Sequence, residues 1–156
     1  MKSDMNKVAL AASLFLLGKS MSRSTTAPGD SIIFTITGPS GQNVILPETD
    51  VAISPGESVL DASLRVFDEF NLPYEIAGFG KDTYVLAIDN ISQYEKGPES
   101  RWLYNIDGVY PSMSPAEYIL PADARVEWIY TIDGGKDIGA PLVSFEQRNN
   151  NTLARK

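Results

Sequence analysis

The stretch Ser58–Phe70 constrains the fold more than any other part of the chain. Pro55-Gly56 breaks the chain ahead of it, Ser58 is a natural N-cap, and Asp61 follows at the third helical position in a capping-box-like spacing. Leu60, Leu64 and Phe67 recur at helical intervals with Val59, Val66 and Phe70 beside them, while Asp61, Arg65, Asp68 and Glu69 take the other side. Asp61 and Arg65 stand four apart in the favourable acid-first order. Asn71 and Pro73 end the helix. One helix with one apolar stripe needs a sheet to cover, and the rest of the chain supplies strands.

Ser31–Thr37 alternates and is β-branched, so it reads as a first strand. The run GPSGQN turns the chain into VILPETDVAI, a second extended segment with Pro47 at a bulge or an edge. Beyond the helix, a strand is predicted around Tyr84–Asp89, followed by the polar loop SQYEKGPES. RWLYNIDGVYP reads as a hairpin whose Asp107-Gly108 turn suits positive φ angles. A short extended piece is expected around Tyr118, and RVEWIYTI is the strongest strand pattern of all. The order β-β-α-β-β-β implies an α+β, β-grasp-like mixed sheet of about five strands with one helix packed on one face.

The 156 residues fit one domain, spanning residues 31–139, with an ordinary 43% hydrophobic content. Residues 23–30 read as a small-polar linker and 140–156 as a polar tail. At the N-terminus, Lys2 and Lys7 precede the apolar run Val8–Leu17. As a helix that run rises about 15 Å, half of a bilayer's hydrocarbon core of roughly 30 Å. Residues 1–22 therefore read as a signal or anchor segment, with Ser20 and Ser22 as small residues ahead of a cut, and the expected location is secreted or cell-surface. An ordinary buried or amphipathic helix is the alternative.

Two absences narrow the chemistry. The chain has no cysteine and no histidine, which removes thiol and disulfide chemistry, the usual general base and the commonest metal ligand. The expectation is a protein that is not an enzyme and holds no metal. A formal charge of −7 argues against nucleic acid and anionic membrane surfaces as partners. Glu95, Glu99, Asp107, Glu117 and Glu127 show no spacing that signals paired catalytic carboxylates, so a solvated face is the default. DGGKDIG lacks phosphate-loop and EF-hand spacing and reads as a structural turn.

The aromatic residues carry the remaining signal. Trp102, Tyr104 and Ile106 share one strand face, as do Val126, Trp128 and Tyr130; Leu103 and Ile129 point the opposite way. These stripes either pack on the helix or lie in part on an uncovered face as a flat platform, with Tyr94, Tyr104 and Tyr110 the members expected at the surface.

The segments ISPGESVLDASL, RWLYNIDGVYPSMSPAEYIL and ADARVEWIYTIDGGKDIG, taken in order, resemble the transcobalamin-like C-terminal domain. Three features match: a Val-Leu-Asp-Ala helix start after Pro-Gly-Glu, a Trp-x-Tyr-x-Ile strand closing on Asp-Gly, and a Glu-Tyr-x-Leu-Pro run into Val-Glu-Trp-x-Tyr. The resemblance implies a β-grasp module of soluble ligand-binding type, the smaller of two domains that close around a corrinoid. It implies cobalamin, or another flat corrinoid-like molecule, as the ligand and Trp102–Asn105 as the contact element, with Tyr104 and Asn105 as polar partners. The candidate binding residues are therefore Tyr94, Trp102, Tyr104, Asn105 and Tyr110. The alternative is a protein-interaction or structural module that pairs a sheet edge or face with another protein or a second domain in trans.

Overall fold

A computed structural model describes residues 29–141. The signal or anchor segment, most of the linker and most of the tail lie outside the described residues. Seven strands and one α-helix follow in order: β1 (Ser31–Thr37), β2 (Val44–Ala52), α1 (Val59–Glu69), β3 (Tyr74–Ala77), β4 (Tyr84–Ile88), β5 (Ile91–Ser92), β6 (Arg101–Ile106) and β7 (Arg125–Thr131). The α+β class is as expected, but the strands divide into two sheets. The larger is a mixed four-stranded sheet in the order β2-β1-β7-β6, with β1 parallel to β7 and the other pairs antiparallel; the smaller is β3-β4-β5.

Helix α1 begins and ends as its sequence dictates. Ser58 Oγ accepts from the Asp61 amide at 3.1 Å and donates to Asp61 Oδ2 at 2.7 Å. At the far end Asn71 takes a left-handed conformation, and the amides of Leu72 and Asn71 donate back to the carbonyls of Phe67 and Asp68. That is a Schellman close, with Asn in the position that glycine usually holds. Two expectations need correction. Arg65 does not pair with Asp61, whose carboxylate is already held by the cap; it forks onto Glu57 at 2.9 Å and donates to the Ala52 carbonyl. The buried stripe is Val59, Leu60, Ala62, Ser63, Val66 and Phe67, leaving Leu64 half-buried and Phe70 exposed. Small Ala62 and Ser63 share the buried face, where the Ser63 hydroxyl accepts from Trp128 Nε1.

Strand β2 is an edge strand, and its pairing with β1 slips between Phe34 and Ile36, placing Pro47 in a bulge where its missing N–H costs nothing. The Asp107-Gly108 turn forms with both residues at positive φ, and Ile106 and Val109 exchange two backbone hydrogen bonds across it. The antiparallel pairing goes no further than this one bridge, because Pro111 has no N–H to continue a ladder. Strand β6 pairs instead with β7, bringing Asn105 opposite Glu127 and Tyr104 opposite Trp128.

Candidate ligand-binding surface

The two faces of the β6–β7 ribbon differ sharply. On the helix side, Trp102 meets Tyr130 edge-to-face at 5.2 Å, and Tyr104 tilts on Trp128 at 5.5 Å and meets Tyr118 at 6.3 Å. Each polar head finds a partner. Trp102 Nε1 donates to the Ile91 carbonyl, Tyr104 Oη to the Met113 carbonyl, and Trp128 Nε1 to Ser63 Oγ, which itself donates to the Val59 carbonyl. Tyr130 Oη donates to the Ser92 carbonyl at 2.7 Å and lies 2.9 Å from Ser100 Oγ. Trp102 is 5% and Tyr104 7% exposed. The expectation of a surface-lying Tyr104 is thereby corrected. The 112–119 loop supplies both the carbonyl that accepts its hydrogen bond and the Tyr118 ring that meets it edge-on.

The opposite face is polar. Asn105 Nδ2 donates to Glu127 Oε2 at 3.0 Å, Thr37 Oγ1 reaches Glu127 Oε1 at 3.5 Å, and the Gly108 amide donates to Asn105 Oδ1 at 3.2 Å. Tyr110, half-buried, reaches the Ile138 carbonyl from its hydroxyl at 3.4 Å and lies beside the Asn105 side chain. Burial raises the Tyr110 pKa, the Asn105 contact opposes this, and the carboxylates of Glu127 and Asp137 add to the rise. Tyr110 therefore remains a neutral donor at physiological pH.

The segment 132–140 folds back as a strap over Leu103. A Cβ on Gly135 would sit 3.5 Å from Leu103 Cδ1, an ordinary contact, and 2.9 Å from Ala140 Cβ within the strap, so the strap's own turn needs glycine there. Asp137 fastens the strap. Ser40 Oγ donates to it at 2.8 Å, the Ile132 amide at 3.1 Å, and the Thr131 hydroxyl also donates. Partial burial would raise the Asp137 pKa, but these donors outweigh it and hold the carboxyl below its ordinary value.

The five predicted residues thus separate into three groups. Trp102 and Tyr104 belong to the core. Asn105, buried at 4% exposure, and half-buried Tyr110 meet at the Asp107-Gly108 corner on the polar face, where neighbouring Val109 is 67% exposed. Tyr94 stands apart at the β6 entry, 60% exposed and with a left-handed backbone, its amide bonded to the Ser100 carbonyl. Sequence reasoning missed Glu127 and Asp137 as organisers of the polar face. Glu127's place between inward-facing Val126 and Trp128 was a usable signal for an outward carboxylate; its pairing with Asn105 needed the register.

Elsewhere an open depression of about 430 Å³ lies at the C-terminal end of α1, lined by Phe67, Asp68, Asn71, Leu72, Pro73 and Tyr74. Among the described residues no group of three or more carboxylates is placed to hold a metal ion, and no helix is long and apolar enough to cross a membrane.

No family profile and no curated protein matches the chain by sequence. Among solved structures, haptocorrin in complex with Cbi is similar with a TM-score of 0.56 at 12% identity, over 65% of this chain and 24% of haptocorrin. The chain thus spans about a quarter of that protein's length, and what the two share is a fold. A candidate metal-binding protein from Ruminococcus gnavus is similar with a TM-score of 0.45 at 13% identity, over 65% of this chain and 95% of that one. That likeness is too slight to carry an argument.

Proposed function

We propose that the chain is a non-catalytic, extracytoplasmic binding module that holds a flat, amide-bearing ligand of the corrinoid class against the Asn105–Tyr110 corner. The observation that carries this reading is the corner itself. The Asn105 amide (4% exposed), at the end of the strand that the family resemblance designates as the contact element, meets the half-buried Tyr110 phenol and exposed Val109 just beyond the turn, on the face away from the aromatic core. Corrinoids carry peripheral amides around an apolar ring, and this corner offers donors, acceptors and a small apolar surface in the same sense. The fold shared with part of haptocorrin, itself solved with Cbi, supports the same reading. With no histidine, the chain supplies no imidazole to cobalt, so recognition would rest on the ligand's rim.

The roles of the five candidates follow from their placement. Asn105 and Tyr110 touch the ligand; Trp102 and Tyr104 act from behind by stiffening β6; Tyr94, in the loop before β6, is bonded to Ser100 at the strand's opposite end. Calorimetric titration of the whole chain with cobalamin and with cobinamide tests this. Binding weakened about tenfold by Tyr110→Ala, roughly 1.4 kcal/mol, and unchanged by Tyr94→Ala is expected. No heat and no change in the corrin absorption at high micromolar ligand would end the proposal. Export rests on the N-terminal pattern, and sequencing the mature protein from its native source checks it: a start near Ser22 supports export, and a cytosolic chain starting at Met1 overturns it.

A further inference from the structure

We propose, independently of the corrinoid reading, that the β3–β4 loop is a protein-docking finger whose Phe79 enters an apolar pocket with a basic rim on a partner protein. Phe79 is 93% exposed, the most exposed large apolar side chain among the described residues. The loop is built to hold it there. Gly78 sits at φ +90°, and a Cβ on it would lie 2.3 Å from the Asp82 carbonyl oxygen and 2.9 Å from the carbonyl carbon, so only glycine lets the chain pass. The Asp82 amide donates to the Phe79 carbonyl at 3.1 Å, and the Thr83 amide and hydroxyl both reach the Gly80 carbonyl. Ser114 Oγ donates to the Lys81 carbonyl, fastening the finger to the 112–119 loop. Ile76 and Tyr84 on the hairpin and Met113 on the tethered loop are also exposed, so Phe79 stands in an apolar surround. A floppy tip could fold its phenylalanine back onto this surround; a braced one presents it to a partner with little ordering entropy left to lose.

Charge selects the occupant. Glu75, Asp82 and Glu117 on these two segments face a single Lys81, within a chain of formal charge −7. An anionic bilayer finds no cationic belt here. A second copy of the chain brings the same sign of charge to the contact. A pocket ringed by Lys and Arg on a different protein satisfies both the apolar tip and its acidic flanks.

The test places the photo-crosslinking residue benzoylphenylalanine at position 79, and separately at exposed position 94 as a control, in the native organism. One discrete protein adduct at 79 and none at 94 is expected. That protein, purified, should bind the wild-type chain, lose at least tenfold in affinity to Phe79→Ser, and weaken with added salt. Gly78→Ala, which keeps the phenylalanine but rebuilds the loop, should lose affinity as well, while the urea midpoint of Phe79→Ser stays at the wild-type value. The proposal is overturned by the absence of a discrete adduct or by a captured protein indifferent to Phe79→Ser. Phe79-dependent sedimentation with phosphatidylcholine vesicles, or a Phe79-dependent dimer in analytical ultracentrifugation, would overturn it too by naming a different occupant.

Discussion

The inner and outer faces of β6–β7 are held by different forces although they share a backbone. Inside, Trp102, Tyr104, Trp128 and Tyr130 are sealed against α1, β5 and the 112–119 loop, and cohesion comes from apolar area removed from water. Outside, buried Asn105 bonds Glu127 beside half-buried Tyr110, and buried Thr131 bonds Asp137, so cohesion comes from hydrogen bonds. Exchanging one hydrogen-bond partner for another is nearly neutral, whereas exposing a buried indole is not. The outer face can therefore trade its internal partners for a ligand's while the inner face stays shut.

The largest effect that could break this contrast is Trp128→Ala. It removes a fully buried indole and leaves Ser63 Oγ without its donor, so a loss of about 3–5 kcal/mol is expected, read as a fall in the urea midpoint. A loss below about 1 kcal/mol would mean that the inner face is not the seat of stability. Next comes Tyr130→Phe, which keeps the ring but leaves the Ser92 carbonyl without the phenol that donates to it; about 1–2 kcal/mol is expected by the same measurement.

Much of the fold was legible because its signals are local. The Ser58 cap, the Asn71 close, the alternation of Ser31–Thr37 and of RVEWIYTI and the Asp107-Gly108 turn each depend on a few adjacent residues, and each formed. What stayed hidden depends on partners distant in the chain. Strands β3 and β5 are too short to show a period and exist because β4 pairs with both. The burial of Ala62 and Ser63 was not legible, because small and hydroxyl side chains count little in an apolar pattern and Ser63 is buried with a bond from the distant Trp128. For the site, alternation placed Trp102 and Tyr104 on one face and Leu103 on the other, but could not say which face a loop would cover. Asn105 acquired its meaning only when β7 brought Glu127 opposite.

A smaller effect sharpens the contrast on the outer side. Asp137→Asn exchanges a carboxylate that receives several hydrogen bonds for an amide that can accept only part of them, and a loss of about 1 kcal/mol is expected at neutral pH. The sign of its pH dependence follows from the lowered pKa. The carboxylate's contribution is complete above the ordinary value near 3.8 and fades as pH falls through the depressed folded value. The stability gap between wild type and Asp137→Asn should therefore be constant from pH 7 to 5 and close below pH of about 4. A gap that persists in acid would show that the strap is held by packing of Gly135 and Ala140, and the two faces would then be alike.

The smallest expected effect tests where the outer network ends. Arg125, on the outer side of β7, pairs with Glu48 across β1, and both side chains are more than half exposed. A pair so wetted gains little, because water screens the attraction and both long side chains lose freedom in holding it. Glu48→Gln should change stability by less than about 0.5 kcal/mol, and what change there is should vanish in 1 M salt. The bond from the Arg125 backbone amide to the Asp107 side-chain Oδ1 is untouched by this substitution, so the turn that carries Tyr110 keeps its anchor. A loss above 1 kcal/mol that resists salt would mean the hydrogen-bonded region extends past Glu127 to the β2 edge. The ligand would then have to be sought across the whole outer face rather than at one corner.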